Sequence, residues 1–457
     1  MPDYTPHTPD EISSMLEFLG ISSEAELFAA IPEALQVAGG LALADGSPEP
    51  DVLARFQGFG QRNGGASSLV CFAGAGAYDH EIPPVVRALG SRSEFVTAYT
   101  PYQPEVAQGV LQAIFEYQTL VSRLAGLPIA NASLYDGATA LVEALNLGCA
   151  SSKNENVWMS SGVHPNWRAT AATFAKGTGH QIHLAPLVEG RTDFSALADA
   201  PAPGVIVVAS PNFLGALEDL AAARSLADTH GALLVVCADP IMSSVLKTPG
   251  SLGADVVVGE GQPLGTPLSF GGPYLGLFAC TEAQLRRLPG RLVGETVDLE
   301  GRRAFVTTLR AREQDIRREK ATSNVCSNQT LMAVVAAIQL GWLGTEGLAE
   351  VASRSVNATR HLRDALCGIE GVSALLGDTP TARDVGIVTP LNAELVLERL
   401  AAEGILGGLA LSSLIDEGDP SVPGDLRERT ILMAATEKRT ANEIDALVAA
   451  MTKAVAR

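Results

Sequence analysis

The chain has 457 residues, of which 47% are apolar, and a formal net charge of -19 at pH 7. A chain of this length and apolar content can bury a large core and is expected to divide into two or three domains. The negative charge argues against DNA or RNA as a partner, because nucleic-acid binding needs a cationic face that displaces counterions. No apolar run has the length of a bilayer span, so we expect no membrane partner either.

The six cysteines are scattered singly, without a CxxC pair or a Cys/His cluster at metal-ligand spacing. This pattern predicts free thiols in a reducing compartment and no metal site. The first residues, Met1 to Tyr4, contain neither a basic region nor an apolar region of the kind found in secretory signals. We therefore expect a cytoplasmic protein.

The first part of the chain predicts short helices. Thr8 and Glu11 have the spacing of a capping box, and Ser23 and Glu26 repeat that signal. We interpret residues 1–67 as an N-terminal helical extension.

From about residue 68, apolar β-branched runs alternate with helical segments. Continuous apolar strands separated by helices predict an α/β fold, with a mostly parallel sheet in a large domain and helices on both faces. Ligands of such sheets bind beyond the carboxyl ends of the strands. The large domain is predicted at residues 68–326, with strands at Val157–Ser161, Val205–Ala209, Leu233–Ala238, Val256–Val258 and Leu275–Ala279.

Helical periodicity is clearest after Pro104, where apolar residues recur at spacings of three or four from Val106 to Leu124. A second helix is predicted after Asp136. Beyond residue 327, a long helical stretch leads into short strands and helices. We therefore predict a small C-terminal α+β domain at residues 327–457.

Glycine-rich and phosphate-binding motifs give only weak signals. Gly74-Ala75-Gly76 follows an apolar run but lacks the third glycine and the downstream acidic residue of a dinucleotide loop, so a plain tight turn is favoured. The polar turn at 130–139 leads into a helix whose free N–H groups could bind an anion. Asp136, at the expected N-cap, would occupy those donors and repel a phosphate, which favours an ordinary capped helix.

Asp239 follows the buried strand Leu233–Ala238, where pyridoxal-phosphate enzymes place the carboxylate that keeps the pyridinium nitrogen protonated. An aspartate at this position is equally typical of a helix cap. The test is whether a lysine follows the next strand, Ala254–Val258, and none does. The chain therefore cannot attach the coenzyme covalently; its lysines are Lys153, Lys176, Lys247, Lys320, Lys438 and Lys453.

Several long motifs identify a family resemblance. The chain is similar to the P-proteins of the glycine cleavage system, and among them to the alpha subunit (subunit 1) of the two-chain bacterial form. The motifs run from about residue 72 to 330, and the similarity in length and order covers the whole chain. They are Phe72–His80, Tyr99–Glu105, Asn131–Gly137, Val258–Gln262, Leu268–Pro273 and Ile316–Asn324.

The resemblance implies a fold-type-I pyridoxal-phosphate architecture and an α2β2 assembly with a homologous subunit 2 (beta) that carries the lysine and the cofactor. Such assemblies decarboxylate glycine and pass the aminomethyl group to the lipoyl arm of the H-protein. By this comparison, Gln262 or a near neighbour occupies the position of the cofactor lysine. Asp239 and Gln262 are then vestigial, and this chain is a cofactor-free subunit.

The same resemblance suggests loops that this chain contributes to the partner's site. Hydroxyl and amide groups of Tyr99, Thr100, Tyr102 and Gln103 could orient glycine or the lipoyl arm, with Glu105 as a proton acceptor. The alternative is an interface turn whose two prolines fix the backbone while the tyrosines only pack.

A second segment, Thr322, Ser323 and Asn324, could donate hydrogen bonds to the partner's pyridoxal phosphate, or could instead N-cap the next helix. The weaker candidates are Tyr78 and His80; a histidine between carboxylates is more often a surface or packing residue than a catalyst.

The basic stretch 302–320 carries Arg302, Arg303, Arg310, Arg312, Arg317, Arg318 and Lys320 among three acidic residues. It is either a solvated, salt-bridged segment or a functional surface. For the whole chain two rival hypotheses remain: a self-sufficient pyridoxal enzyme, against which the positions of the lysines argue, and a non-catalytic scaffold that only stabilises the partner subunit.

Overall fold

The computed structural model describes residues 6–37, 42–65 and 69–456. It separates into two compact units, Met1–Gly64 and Gly65–Arg457. The boundary predicted at residue 326/327 is not tested by this division and stays a prediction.

The first unit contains two α-helices, α1 (Pro9–Leu19) and α2 (Glu49–Arg62), with short 3-10 turns between them. Thr8 and Glu11 form the predicted capping box at the start of α1. The second predicted cap is wrong in detail, because the Glu26 side chain accepts hydrogen bonds from Ser22 and not from the Ser23 side chain. Within the described part of this unit, no helical residue is buried.

The second unit contains the remaining elements. Its strands are β1 (Val70–Cys71), β2 (Ile129–Ala130), β3 (Asn156–Ser160), β4 (Gln181–Ala185), β5 (Leu187–Val188), β6 (Arg191–Thr192), β7 (Val205–Ser210), β8 (Leu233–Ala238), β9 (Val256–Glu260), β10 (Gly276–Cys280), β11 (Leu292–Val297), β12 (Arg303–Thr308), β13 (Ser373–Ala374), β14 (Asp384–Val388), β15 (Ile405–Leu406), β16 (Leu409–Ala410) and β17 (Thr430–Ala434). Its helices are α3 (Pro84–Gly90), α4 (Ser93–Val96), α5 (Gln108–Ala125), α6 (Gly137–Ser152), α7 (Pro165–Thr178), α8 (Leu220–His230), α9 (Gln314–Arg317), α10 (Thr330–Cys367), α11 (Ala393–Ala402), α12 (Gly424–Arg427) and α13 (Ala441–Val455).

The central sheet has seven strands in the order β2-β10-β9-β8-β7-β3-β4. Strands β4, β3, β7, β8 and β9 run parallel to one another, whereas β10 is antiparallel to both β9 and β2. The mostly parallel sheet predicted from the continuous apolar runs is confirmed. The carboxyl ends of its parallel strands define the edge at which a ligand is expected.

Both faces of this sheet are buried under helices. On β7, Ile206 and Val208 belong to one apolar cluster, which also contains residues of α5, α8 and α10. The alternate residues Val205 and Val207 belong to a second cluster with residues of α6 and α7. Because successive side chains of a strand point to opposite faces, this division shows a sheet covered on both sides.

The C-terminal elements form a four-stranded antiparallel sheet in the order β13-β14-β17-β16. Its core includes residues of α10, α11 and α13, which agrees with the predicted α+β character. The short strand β1 pairs with β15, so the chain near residue 70 packs with the C-terminal elements rather than with the large sheet.

Two helices differ in extent from the sequence prediction. α5 begins at Gln108 rather than just after Pro104, and Val106 lies outside it with 82% of its surface exposed. The long helical stretch predicted beyond residue 327 is α10, which consists of two helices joined at Gly344, where the backbone is not helical (φ 60°, ψ -172°). By length and composition alone α10 could cross a membrane, but its residues Ala333 and Ala336 are buried in the core of the central sheet.

Truncation of the central strand tests the assignment of this core. We expect Ile206→Ala to lower the free energy of unfolding by about 2–5 kcal/mol, because a fully buried aliphatic side chain leaves a cavity. Leu184→Ala on the edge strand β4, where the side chain is partly exposed, should cost about 1 kcal/mol or less. Urea denaturation of both variants measures the difference, and equal losses would contradict the assignment.

Candidate functional site

A cavity of about 90 Å³ lies at the carboxyl ends of β7, β8 and β9. This is the edge of the sheet at which ligands of open α/β folds bind. We call it the central cavity. The polar side chains that line it include Tyr78, His164, Asp239, Glu260, Arg383 and Asp384.

Asp239 lies at this edge, immediately after β8, and both of its carboxylate oxygens have partners within the chain. Oδ1 accepts hydrogen bonds from the backbone N–H groups of Ile241 (2.8 Å) and Met242 (3.0 Å), so the residue caps the following turn. Oδ2 forms an ion pair with the guanidinium group of Arg383. Asp239 is therefore a cap, one of the two roles considered from the sequence, and it also forms an ion pair with Arg383.

Arg383 is 1% exposed and makes the central contacts of this region. Its guanidinium carbon lies 3.3 Å from the centroid of the Tyr78 ring, and its Nη1 lies 2.7 Å from His80 Nε2. His80 in turn pairs with Glu437 at 2.6 Å. His80 was expected to be a surface or packing residue. It is not a surface residue, because its ring is buried between Arg383 and Glu437.

Asp384 adds a second carboxylate to this network. Its Oδ2 accepts a hydrogen bond from the Tyr78 hydroxyl at 2.8 Å, and its Oδ1 accepts one from the backbone N–H of Ala75 at 3.2 Å. Burial raises the pKa of Asp384 to about 6, although the Arg383 charge opposes that shift. Burial also raises the pKa of the Tyr78 phenol, so this hydroxyl stays protonated and donates. The Gly74–Gly76 segment forms a tight turn, as predicted, against Asp384.

Gln262 lies just beyond β9, at the predicted position of a cofactor lysine, and it is buried. Its amide oxygen accepts a hydrogen bond from the Tyr78 N–H at 2.9 Å. Its amide nitrogen donates to the carbonyl oxygens of Tyr78 (3.0 Å) and Thr266 (2.7 Å). The side chain therefore fixes the backbone at Tyr78 and is not a free group facing the cavity.

The N-terminus of α6 is filled by two carboxylates of the chain itself. Asp136 Oδ1 accepts from the backbone N–H of Thr139 at 2.7 Å, which confirms the predicted N-cap. Glu260 Oε2 accepts from the N–H of Gly137 at 2.9 Å. The other oxygen of Glu260 accepts from the N–H groups of Gln262 and Leu275. Free N–H groups at a helix N-terminus are the donors that would hold a phosphate.

Burial raises the pKa of Glu260 to about 7, an effect that the three backbone donors partly offset. Sequence reasoning did not single out Glu260 or Arg383. Glu260 could have been noticed as an acidic residue at the end of an apolar strand. The sequence around Arg383 contains no comparable signal.

Pyridoxal phosphate does not fit these residues. The coenzyme needs a lysine amine, free donors for its phosphate and a carboxylate free to face the pyridinium nitrogen. Here an amide stands after β9, Glu260 and Asp136 accept from the helix donors of Gly137 and Thr139, and Asp239 is paired with Arg383. Among the described residues that line the central cavity there is no lysine.

The predicted partner-facing residues lie elsewhere, on a surface that carries three exposed tyrosines. Tyr99, Tyr102 and Tyr135 are 76%, 46% and 38% exposed, and each contacts the segment 326–327. The Tyr99 hydroxyl lies 2.7 Å from Ser327 Oγ, and Tyr135 Oη accepts from the N–H of Cys326 at 3.3 Å. We call this group the tyrosine surface; Tyr135 was not among the predicted residues.

Tyr102 is the most firmly held of the three tyrosines. The buried Arg291 donates to its hydroxyl at 2.8 Å, and the guanidinium carbon lies 4.5 Å from the centroid of its ring. Of the other residues in this loop, Gln103 and Glu105 are exposed, whereas the Thr100 hydroxyl is buried without a hydrogen-bond partner among the described residues. Their roles toward a partner stay predictions.

Thr322, Ser323 and Asn324 precede the same surface. α10 begins at Thr330, so the alternative that these residues cap it is wrong. Ser323 Oγ instead accepts from the N–H of Val325 at 3.1 Å, and Thr322 and Asn324 are exposed. Their contact with a partner's cofactor stays a prediction.

One group of metal-ligand type forms from residues that are scattered in sequence. Cys149, Glu155 and His180 bring their ligand atoms within 4.8 Å of one another. Both His180 nitrogens already have partners, Nδ1 with Glu155 and Nε2 with Asn146 at 3.0 Å. Burial raises the pKa of the Cys149 thiol to about 12, which favours the thiol over the thiolate that metals bind. The arrangement is that of a hydrogen-bonded histidine rather than a metal centre.

Comparison with known proteins identifies the family. The model of the glycine cleavage system P-protein matches residues 2–405. The chain belongs to the P-protein family. A probable glycine dehydrogenase (decarboxylating) subunit 1 of Desulforamulus reducens is 44% identical over 451 residues, 98% of each chain. One of Moorella thermoacetica is 44% identical over 450 residues, again 98% of each chain.

Solved structures agree with this membership. A crystal structure of glycine decarboxylase (P-protein) in inhibitor-bound form matches with a TM-score of 0.89 and 44% identity, over 99% of this chain and 100% of that one. Mouse CSAD matches with a TM-score of 0.68 at 16% identity, over 95% and 92% of the two chains. The cysteine desulfurase CsdA of Escherichia coli matches with a TM-score of 0.62 at 16% identity, over 88% and 98%. These likenesses confirm the predicted fold-type-I architecture.

The buried carboxylate at α6 predicts a pH dependence of stability. Because the pKa of Glu260 in the folded chain, about 7, lies above its ordinary value of 4.5, the folded chain binds this proton more tightly than the unfolded chain. The contribution of Glu260 to the free energy of unfolding therefore falls as pH rises from 4.5 to 7. In urea unfolding, the stability of wild type relative to Glu260→Gln should decrease across this window. The exposed Glu346→Gln is the matched control, and a constant wild-type difference for Glu260→Gln would contradict the assignment.

Proposed function

We propose that the chain is a cofactor-free subunit of a glycine decarboxylase and acts only together with a second subunit that holds pyridoxal phosphate. The assembly decarboxylates glycine and transfers the remaining aminomethyl group to the lipoyl arm of a carrier, the H-protein. The relatives named subunit 1 imply such a second subunit. By family resemblance we assign an α2β2 assembly, with the cytoplasm as its location.

The observation that carries this proposal is the chemistry at the carboxyl edge of the sheet. The position after β9 holds the buried amide of Gln262, and the N-terminus of α6 is filled by Asp136 and Glu260. A dianionic phosphate would have to displace both carboxylates, and their charge opposes its approach. A chain built in this way needs a partner for coenzyme chemistry.

When bound to the partner, the coenzyme supplies the electron sink that decarboxylation requires. This chain's part is to bind, orient and exclude water. The phenol groups of Tyr99 and Tyr102 are exposed and held by hydrogen bonds, so they can present fixed donors to a substrate at the subunit junction. Gln103 and Glu105 are exposed in the same loop, where Glu105 can accept a proton.

The scaffold hypothesis assigns the tyrosine surface a packing role only. The contact between Arg291 and Tyr102 is compatible with it, because the ring and the hydroxyl are both held within this chain. The two hypotheses differ in what loss of a phenolic hydroxyl does to turnover.

Reconstitution tests whether glycine decarboxylation requires both subunits. The chain alone and subunit 2 alone should each release no carbon dioxide from carboxyl-labelled glycine, whereas the mixture with lipoylated carrier should release it. The measurement is labelled carbon dioxide released per assembly, with subunit association checked by sedimentation. Full turnover by subunit 2 alone, or by this chain alone with added coenzyme, would refute the proposal.

Removal of single phenolic hydroxyls distinguishes an active subunit from a scaffold. Tyr102→Phe and Tyr99→Phe should each lower kcat of the intact assembly roughly tenfold, the effect of losing about 1.4 kcal/mol of transition-state stabilisation. Tyr117→Phe is the matched control, because that buried hydroxyl has no hydrogen-bond partner among the described residues. Unchanged turnover of both surface variants, with assembly intact, would favour the scaffold.

A further inference from the structure

The basic stretch 302–320 divides into two sets in the structure. The first set has partners within the chain: Arg312 donates hydrogen bonds to the carbonyl oxygens of Leu288 and Gly290. The three other arginines of this set form ion pairs, Arg302 with Asp298 at 2.8 Å, Arg303 with Glu295 at 2.7 Å and Arg310 with Asp315 at 3.1 Å. For these residues the solvated, salt-bridged interpretation holds.

The second set comprises Arg317, Arg318 and Lys320, which we call the cationic triad. All three are exposed. Across the described ranges 6–37, 42–65 and 69–456, none of their side chains forms an ion pair or a hydrogen bond. The exposed Glu319 lies among them, so the four residues carry three cations and one anion, a net charge of +2 in a chain whose net charge is -19.

The backbone at the triad is unusual as well. α9 ends at Arg317, and Arg318 has φ 53° and ψ -125°, a conformation that residues with a Cβ rarely adopt. Such outliers concentrate where a segment serves binding or catalysis. Leu309 and Ile316, which lie in the same segment, are exposed apolar side chains.

The triad is close in sequence to the tyrosine surface. Cys326 and Ser327, which follow Lys320 by six and seven residues, are the residues that contact Tyr102, Tyr135 and Tyr99. The segment between them includes Thr322 to Asn324. Because six residues span at most roughly 20 Å, a molecule bound at the triad would lie within that distance of the segment that contacts the three tyrosines.

We infer that the cationic triad docks an acidic protein, namely the lipoyl-bearing carrier of the proposed reaction. The inference rests on the proposed function and adds to it the surface by which the carrier is recognised. Exposed cations beside exposed apolar residues suit a protein surface, where opposite potentials steer association and fix orientation.

Docking of this kind acts on association of the carrier and not on the chemical step. Removing the triad should therefore raise KM for the carrier and weaken its binding, while kcat at saturation stays the same. The effect should shrink as salt is added, because exposed charges are screened over about 10 Å at 0.1 M ionic strength.

The test compares two triple variants that lose the same charge in the reconstituted assembly. Arg317→Ala/Arg318→Ala/Lys320→Ala removes the triad, and Arg302→Ala/Arg303→Ala/Arg310→Ala removes three paired cations. With lipoylated carrier at low salt, the triad variant should lose roughly tenfold in kcat/KM and the paired variant should lose little. With free lipoamide as acceptor, both should equal wild type.

Direct binding of the carrier to the assembly, measured calorimetrically without turnover, should show the same roughly tenfold loss for the triad variant alone. Equal loss with lipoamide would place the triad at the catalytic site and overturn the inference. Failure of the triad variant to assemble would make it a subunit contact and overturn it too, as would unchanged carrier binding. An inactive wild-type assembly that still binds carrier through the triad would refute the proposed function and leave the docking surface standing.

Discussion

A buried carboxyl group at the N-terminus of a helix determines whether the carboxyl edge of this sheet can bind an anion. Glu260 lies at the end of β9 and accepts hydrogen bonds from Gly137, Gln262 and Leu275, and so joins the N-terminus of α6 to two strands of the sheet. Free N–H groups at a helix N-terminus can hold an anion. Here the carboxyl groups of Glu260 and Asp136 accept hydrogen bonds from two of these N–H groups, those of Gly137 and Thr139.

The rest of the central cavity follows the same arrangement. The Arg383 guanidinium lies between Asp239 and the Tyr78 ring, and Gln262 holds the backbone of Tyr78 from the other side. Asp239, Gln262 and Asp384 are paired with neighbours in the chain, whereas the buried Arg383 Nε has no hydrogen-bond partner among the described residues. Buried charges persist only when they are paired in this way, since an unpaired one would be strongly destabilising. Exposed polar groups that are free to meet a partner lie instead on the tyrosine surface and in the cationic triad.

Sequence reasoning succeeded where the physical cause is local. The cap at Asp136 involves Thr139, three residues away, and the strands follow from continuous apolar runs. It failed where partners are distant in sequence: Glu260 and Gly137 are 123 positions apart, and Arg383 and Asp239 are 144 apart. The lack of a lysine after strand 254–258 could be recognised from the sequence, because it requires only the position of that strand and not the fold. The partners of Glu260 and Arg383 could be identified only from the structure.

The central claim is that residues of this chain, and not merely the lack of a partner, exclude the coenzyme. Equilibrium dialysis of the isolated chain against pyridoxal phosphate, followed by borohydride reduction and mass spectrometry, tests it most directly. The account predicts no stoichiometric binding and no pyridoxyl group on any of the six lysines. One coenzyme bound per chain, with a reduced adduct on a single lysine, would contradict it.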